Sequence, residues 1–152
     1  MRVVVISGYF NPLHTGHLDY IKAASKLGDK LIAIVNNDHQ VELKGTVPFM
    51  NAYDRMRMVD AIKGVSKTVL SIDTDGSVVE TLKSIYSECA VDWDFDSMIF
   101  ANGGDVGLGT SKEHSYCKKR NIKTAYGVGG AKTQSSSELL KSKEKESTND
   151  NT

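Results

Sequence analysis

The sequence is poor in the features that mark several large protein classes. It has two cysteines, Cys89 and Cys117, in no Cys-x-x-Cys or Cys/His spacing. That excludes a structural zinc cluster and the disulfide framework of a small secreted domain, and fits a reducing cytoplasm. Nor is there an excess of charge: 19 Lys plus Arg balance 19 Asp plus Glu. A general nucleic-acid or anionic-membrane binder would leave a footprint of surplus Lys and Arg, so neither partner is expected, although a local anion site stays open. No run approaches about 18 consecutive apolar residues, and the N-terminus lacks a charged segment followed by an apolar stretch and a cleavage site. Neither membrane insertion nor export is expected. Three catalytic signatures are also missing: Gly-x-x-x-x-Gly-Lys-Ser/Thr, Gly-x-Gly-x-x-Gly after the first strand, and the Gly-x-Ser-x-Gly elbow. Their absence argues against a P-loop NTPase, a nicotinamide enzyme and a serine hydrolase.

What is present is one domain's worth of ordinary globular sequence, 152 residues with 39% hydrophobic and 25% charged. A chain of this length buries roughly 68–70% of its unfolded surface and needs no covalent staple. Residues 3–6 (Val-Val-Val-Ile) and 31–35 (Leu-Ile-Ala-Ile-Val) are continuous apolar runs, as in strands buried on both faces of a parallel sheet. Leu18, Ile21, Ala24 and Leu27 recur between them at helical spacing, giving a right-handed strand–helix–strand crossover. The alternation continues with a helix marked by Ala52, Met56, Val59 and Ile62, and then a strand over 68–72. A helix through Val78, Val79, Leu82 and Ile85 follows, with strands at 98–101 and 123–126 flanking a charged helix over 111–120. Ser135–Lys141 is expected to be a last helix. This predicts an α/β fold, a doubly wound Rossmann-like parallel sheet of about five strands with helices on both faces. Residues 88–97, which alternate acids with aromatics, are expected to be a solvated connection or sheet edge. Residues 141–152 carry no apolar side chain after Lys141 and are expected to be a disordered tail.

The most informative stretch is Gly8-Tyr9-Phe10-Asn11-Pro12-Leu13-His14-Thr15-Gly16-His17, directly after the first strand and opening the first helix. Open α/β folds bind ligands in such loops, where a helix N-terminus offers unpaired N–H groups and partial positive charge. Phosphate belongs there. Gly8 permits close backbone approach to a ligand, Pro12 stiffens the loop, and His14 and His17, three positions apart, can point at one anion. The competing reading is a turn with two capping or core histidines. His39 and His114 read as surface residues, and Lys118-Lys119-Arg120 as a solvated helix end that suits the helix dipole.

His-x-Gly-His after Gly-Tyr-Phe-Asn-Pro resembles the signature of the cytidylyltransferase-like nucleotidyltransferase superfamily, and the resemblance extends over residues 1–140. Asn11 stands where many cytidylyltransferases carry Asp. By resemblance, His14, His17 and Lys44 are catalytic, and Gly8, Tyr9, Phe10, Asn11 and Gly16 bind nucleotide. Asn102, Gly103, Gly104 and Asp105 resemble the family's Gly-x-Asp segment, and Gln134, Ser135, Ser136 and Ser137 its final helix start, both nucleotide-binding. Asp38 and Arg55 are expected at the acceptor, together with Lys132, which stands near a family Arg that this chain lacks. Lysine would give up bidentate geometry there.

The resemblance implies transfer of a nucleoside monophosphate from a nucleoside triphosphate to a small phosphorylated acceptor, with release of pyrophosphate. Magnesium would be carried by the triphosphate rather than by a protein metal site, and the implied assembly is a homodimer. The Asp38, Lys44 and Arg55 placement resembles glycerol-3-phosphate cytidylyltransferases, and the expectation leans to CTP. The alternatives are adenylyl transfer from ATP to a heptose or other sugar phosphate or to FMN, and a non-catalytic nucleotide sensor.

Overall fold

The computed structural model describes residues 1–92, 95–103 and 111–130. Five parallel strands, β1 (Arg2–Gly8), β2 (Lys30–Val35), β3 (Lys67–Leu70), β4 (Ser97–Ala101) and β5 (Lys123–Ala125), form one sheet in the order β3-β2-β1-β4-β5. The helices are α1 (Thr15–Ser25), α2 (Asp38–Leu43), α3 (Ala52–Asp60), α4 (Val79–Asp92) and α5 (Lys112–Arg120). The expected doubly wound α/β architecture is what the chain adopts.

Strand periodicity explains the two-sided core. Along β1, Val3 and Val5 face one layer while Val4 and Ile6 face the other, and none of the four has exposed surface. Each such side chain contributes roughly 1.5–3 kcal/mol by burial, so only a sheet covered on both faces uses this run fully. Val3 and Val5 pack with Val78, Leu82 and Ile85 of the α4 region and with Tyr116 and Cys117 of α5. Val4 and Ile6 pack with Ile21 and Ala24 of α1 and Val59 of α3.

Two local expectations need correction. The acid–aromatic segment is not all connection: α4 runs on to Asp92, because Cys89 continues the Leu82–Ile85 stripe and is buried in the core. Phe95 then packs edge-on to Tyr86 at 5.4 Å, and Asp96 accepts a hydrogen bond from the N-terminal ammonium at 2.6 Å. The second correction is α2, which the apolar pattern does not reveal. Asn37 and Gln40 form its capping box, each side chain accepting from the other's backbone N–H. The expected helix over 135–141 and the tail lie outside the described residues. Among those described, no helix is long and apolar enough to cross a membrane.

Candidate active site

The strand order places the site. β1 and β4 are neighbours at the centre of the sheet, yet the chain leaves β1 towards α1 on one face and enters the region of α5 on the other from β4. Such a switch point opens a crevice beyond the carboxyl ends of the two strands. The Gly8–His17 loop and Asn102–Gly103 both lie at this crevice. Gly104, Asp105, Lys132, Gln134, Ser135, Ser136 and Ser137 lie outside the described residues.

The two histidines build the N-terminus of α1. His14 is the N-cap, and its Nδ1 accepts from the Gly16 N–H at 3.1 Å; His17 Nδ1 accepts from the His14 N–H at 3.1 Å. The rings stack at 3.9 Å between centroids. Capping therefore fixes both rings relative to the helix N-terminus and to each other. A nitrogen that accepts from backbone has a lone pair, so each neutral imidazole carries its proton on Nε2. Nε2 is then the nitrogen through which each ring donates. The dipole adds to this: α2, α3, α4 and α5 each have an acid in the first turn (Asp38, Asp54, Glu80 and Glu113), whereas α1 has none. No acid in the first turn of α1 neutralises the positive end of that helix.

Phe10 supports the histidines from below. It is buried at 1% exposure, adopts a left-handed backbone (φ 49°), and meets the His17 ring edge at 4.9 Å. Gly8 makes room for it: a Cβ there would lie 2.8 Å from Phe10 Cζ. These two residues, expected to contact nucleotide, form the floor that orients His17. Asn11 is likewise a fastener. Its Nδ2 donates to Val47 O at 2.9 Å and its Oδ1 accepts from the Phe49 N–H at 2.5 Å. Aspartate could not donate to Val47, which gives a physical reason for asparagine at this position.

Arg55 departs furthest from expectation. Its side chain has no exposed surface. Nη1 donates to Tyr9 O at 2.7 Å and Asn36 O at 2.8 Å, Nε to Met50 O at 3.1 Å, and Nη2 to Asp38 Oδ1 at 2.6 Å. Asp38 also accepts from the Ala52 N–H at 3.3 Å. The pair sews together the loops after β1 and β2 and the segment entering α3; the Arg55 guanidinium is spent on these bonds, whereas the Asp38 carboxylate keeps 42% of its side chain exposed. Lys44, at the end of α2, is exposed and carries its ammonium 4.3 Å from the Tyr9 ring centroid. It stands beside the first loop with its charge able to reach a ligand. Burial, then the charge of Glu113, raises the Tyr9 hydroxyl above its ordinary pKa, so that ring is neutral beneath the cation.

Sequence reasoning missed two groups. Tyr20, on α1, donates its hydroxyl to Ala101 O at 2.6 Å, just past Val5–Phe100, where the β1–β4 pairing ends. Burial raises its pKa strongly, opposed by a backbone hydrogen bond from Ser7. The phenol thus bridges the carboxyl ends of β1 and β4. The loop after β5 leans on the same residue, since a Cβ at Gly129 would sit 3.1 Å from Tyr20 Cα, and its Val128 N–H donates to Asn102 O at 3.1 Å. Nothing in the helical pattern singles Tyr20 out. Gln40 is fully buried, accepting from Asn36 and Asn37 and donating to Asp75 O at 2.7 Å and Ser77 O at 2.8 Å. Its Asn-x-x-Gln spacing was the available signal.

Comparison with known proteins agrees with this geometry. The chain is 32% identical over 120 residues to the FAD synthase of Thermococcus sibiricus, covering 78% of this chain and 74% of that one. It is 38% identical over 96 residues to the FAD synthase of Pyrococcus abyssi, 61% of this chain and 65% of that one. The match to the FAD synthase of Thermoplasma acidophilum is 32% over 84 residues, 54% of this chain, and spans 59% of that relative's length. Among solved structures, a lipopolysaccharide core biosynthesis protein from Thermoplasma volcanium superposes with TM-score 0.64 at 25% identity, over 83% of this chain and 93% of that one. The sequence model described as cytidylyltransferase-like matches residues 5–147, and the chain belongs to that family.

Proposed function

We propose that the protein is a nucleotidyltransferase that moves AMP from ATP to FMN. The observation that carries the transferase reading is the pair of stacked imidazoles, each with its proton on Nε2, at a helix N-terminus without an acid in its first turn. Two fixed donors and a helix dipole suit a triphosphate, and the site offers positioning and charge rather than a covalent nucleophile. The relatives that are named FAD synthase favour adenylyl transfer to FMN over the cytidylyl transfer to which the sequence leaned.

In this reading a phosphate oxygen of FMN attacks the α-phosphorus in line. A P–O bond forms there, the bond to the α,β-bridging oxygen breaks, and its electron pair leaves with pyrophosphate. The acceptor oxygen is already anionic at neutral pH, so no general base is required. His14 and His17 donate to the phosphate oxygens, and Lys44 balances charge on the acceptor side. Among the described residues no group of three His, Cys, Asp or Glu could hold a metal ion. Magnesium would ride on the triphosphate oxygens and neutralise part of their charge.

The test is pyrophosphate release from ATP and CTP, each paired with FMN, glycerol phosphate and sugar 1-phosphates. ATP with FMN is the expected productive pair; release only from CTP with glycerol phosphate would overturn the assignment. Tight nucleotide binding without release from any pair would favour a sensor. His17→Ala should lower kcat by about 10²–10³, the usual effect of losing one transition-state donor.

A further inference from the structure

A rigidly held apolar segment lies next to the phosphate loop. Residues 45–53, Gly-Thr-Val-Pro-Phe-Met-Asn-Ala-Tyr, contain no charge in a chain that is 25% charged. Val47 is 76% exposed, Phe49 71% and Tyr53 72%, among the most exposed large apolar side chains of the described residues. Their backbone is nonetheless pinned. Asn11, three positions before His14, bonds both Val47 O and the Phe49 N–H, the buried Arg55 bonds Met50 O, and Asn51 caps α3. Mobile loops expose apolar groups incidentally, but a buried guanidinium and a side-chain amide that fix a backbone while its apolar side chains face water make a preorganised contact surface. Because Asn11 belongs to the histidine loop, this surface is in fixed register with the anion site.

We infer that Val47 and Phe49 form the seat for the fused aromatic ring of the acceptor, with the Phe49 ring stacking on it while the acceptor's phosphate reaches the histidines. The inference rests on the reading of FMN as acceptor. An uncharged apolar seat suits an isoalloxazine, whereas the hydroxyls of glycerol phosphate or a sugar phosphate would find no hydrogen-bond partners among these side chains. Tyr53, in the first turn of α3, continues the apolar stretch.

Stacking on an aromatic side chain quenches flavin fluorescence, so binding can be read without turnover. FMN is titrated into the wild type, Phe49→Ala and Phe49→Tyr, and steady-state kinetics are measured with ATP and FMN. Phe49→Ala should weaken FMN binding and raise the KM for FMN by about tenfold, within the range for loss of one stacked aromatic. Phe49→Tyr should restore both, and the KM for ATP should stay in place. Unchanged FMN quenching and KM in Phe49→Ala would overturn the seat while leaving FMN as acceptor. If the wild type neither binds FMN nor releases pyrophosphate with it, the acceptor reading fails and the seat with it.

Discussion

Replacing Arg55 with lysine separates two roles for one buried cation. The guanidinium makes four hydrogen bonds from three nitrogens, to Tyr9 O, Asn36 O, Met50 O and Asp38 Oδ1. An ammonium is a single point on a flexible stem and cannot span these partners, so at least two bonds are lost. The contact with Asp38 is discounted, because that carboxylate is 42% exposed and screened by water. Losing two bonds to backbone at about 1–1.5 kcal/mol each gives a destabilisation of about 2–3 kcal/mol. For a chain of this size that lowers Tm by about 4–12 °C. Calorimetry or dye-monitored melting of Arg55→Lys, with and without ATP, reads the shift directly. A Tm at the wild-type value together with a raised acceptor KM would refute the fastening role and return Arg55 to the acceptor.

Three further outcomes follow from the geometry. Tyr20→Phe removes the hydroxyl from Ala101 O and should cost about 1 kcal/mol in a melting experiment, with a rise in the KM for ATP as the ends of β1 and β4 lose their bridge; an unaltered KM would remove Tyr20 from nucleotide positioning. Asn11→Asp keeps an acceptor for the Phe49 N–H but sets a carboxylate against Val47 O, and should lower kcat/KM by about tenfold, to be checked against Asn11→Ala, which removes both bonds without adding charge. Burial, and then the charge of Glu113, pushes the Cys117 thiol up to about 12. The folded state then holds a proton that the unfolded state releases, so the associated stability is complete below about pH 8.5, the ordinary thiol range, and declines as pH rises towards 12. Cys117→Ala should flatten that alkaline decline in denaturant titrations at stepped pH, and an unchanged slope would exclude the thiol as its source.

Much of the fold was legible because its signals are local. Runs buried on both faces marked β1 and β2, helical stripes marked α1 and α3, and the loop at His14 announced itself by position and spacing. The helix α2 escaped because its evidence is a capping box rather than an apolar stripe, and the end of α4 escaped because acids and aromatics around Cys89 masked a continuing period. The site was legible as a list of residues more than as a set of roles. Phe10, Gly8, Asp38 and Arg55 carry motif positions, and the folded chain shows what the motif does not: each also packs or bonds against the loops that build the site.

Composition and order alone determined that this chain forms a doubly wound parallel sheet with a histidine-bearing loop at a helix N-terminus after its first strand, since burial periodicity and helix-terminal chemistry are properties of short segments. Balanced charge and sparse cysteine had already removed most other classes. Only the tertiary structure decided which side chains are fasteners and which are donors. That division depends on groups far apart in sequence: Arg55 meeting Tyr9 and Asn36, Asn11 meeting Val47 and Phe49, and Tyr20 standing between the ends of β1 and β4. A polar side chain's role is set by the partners that burial leaves it, and those partners are chosen by the fold.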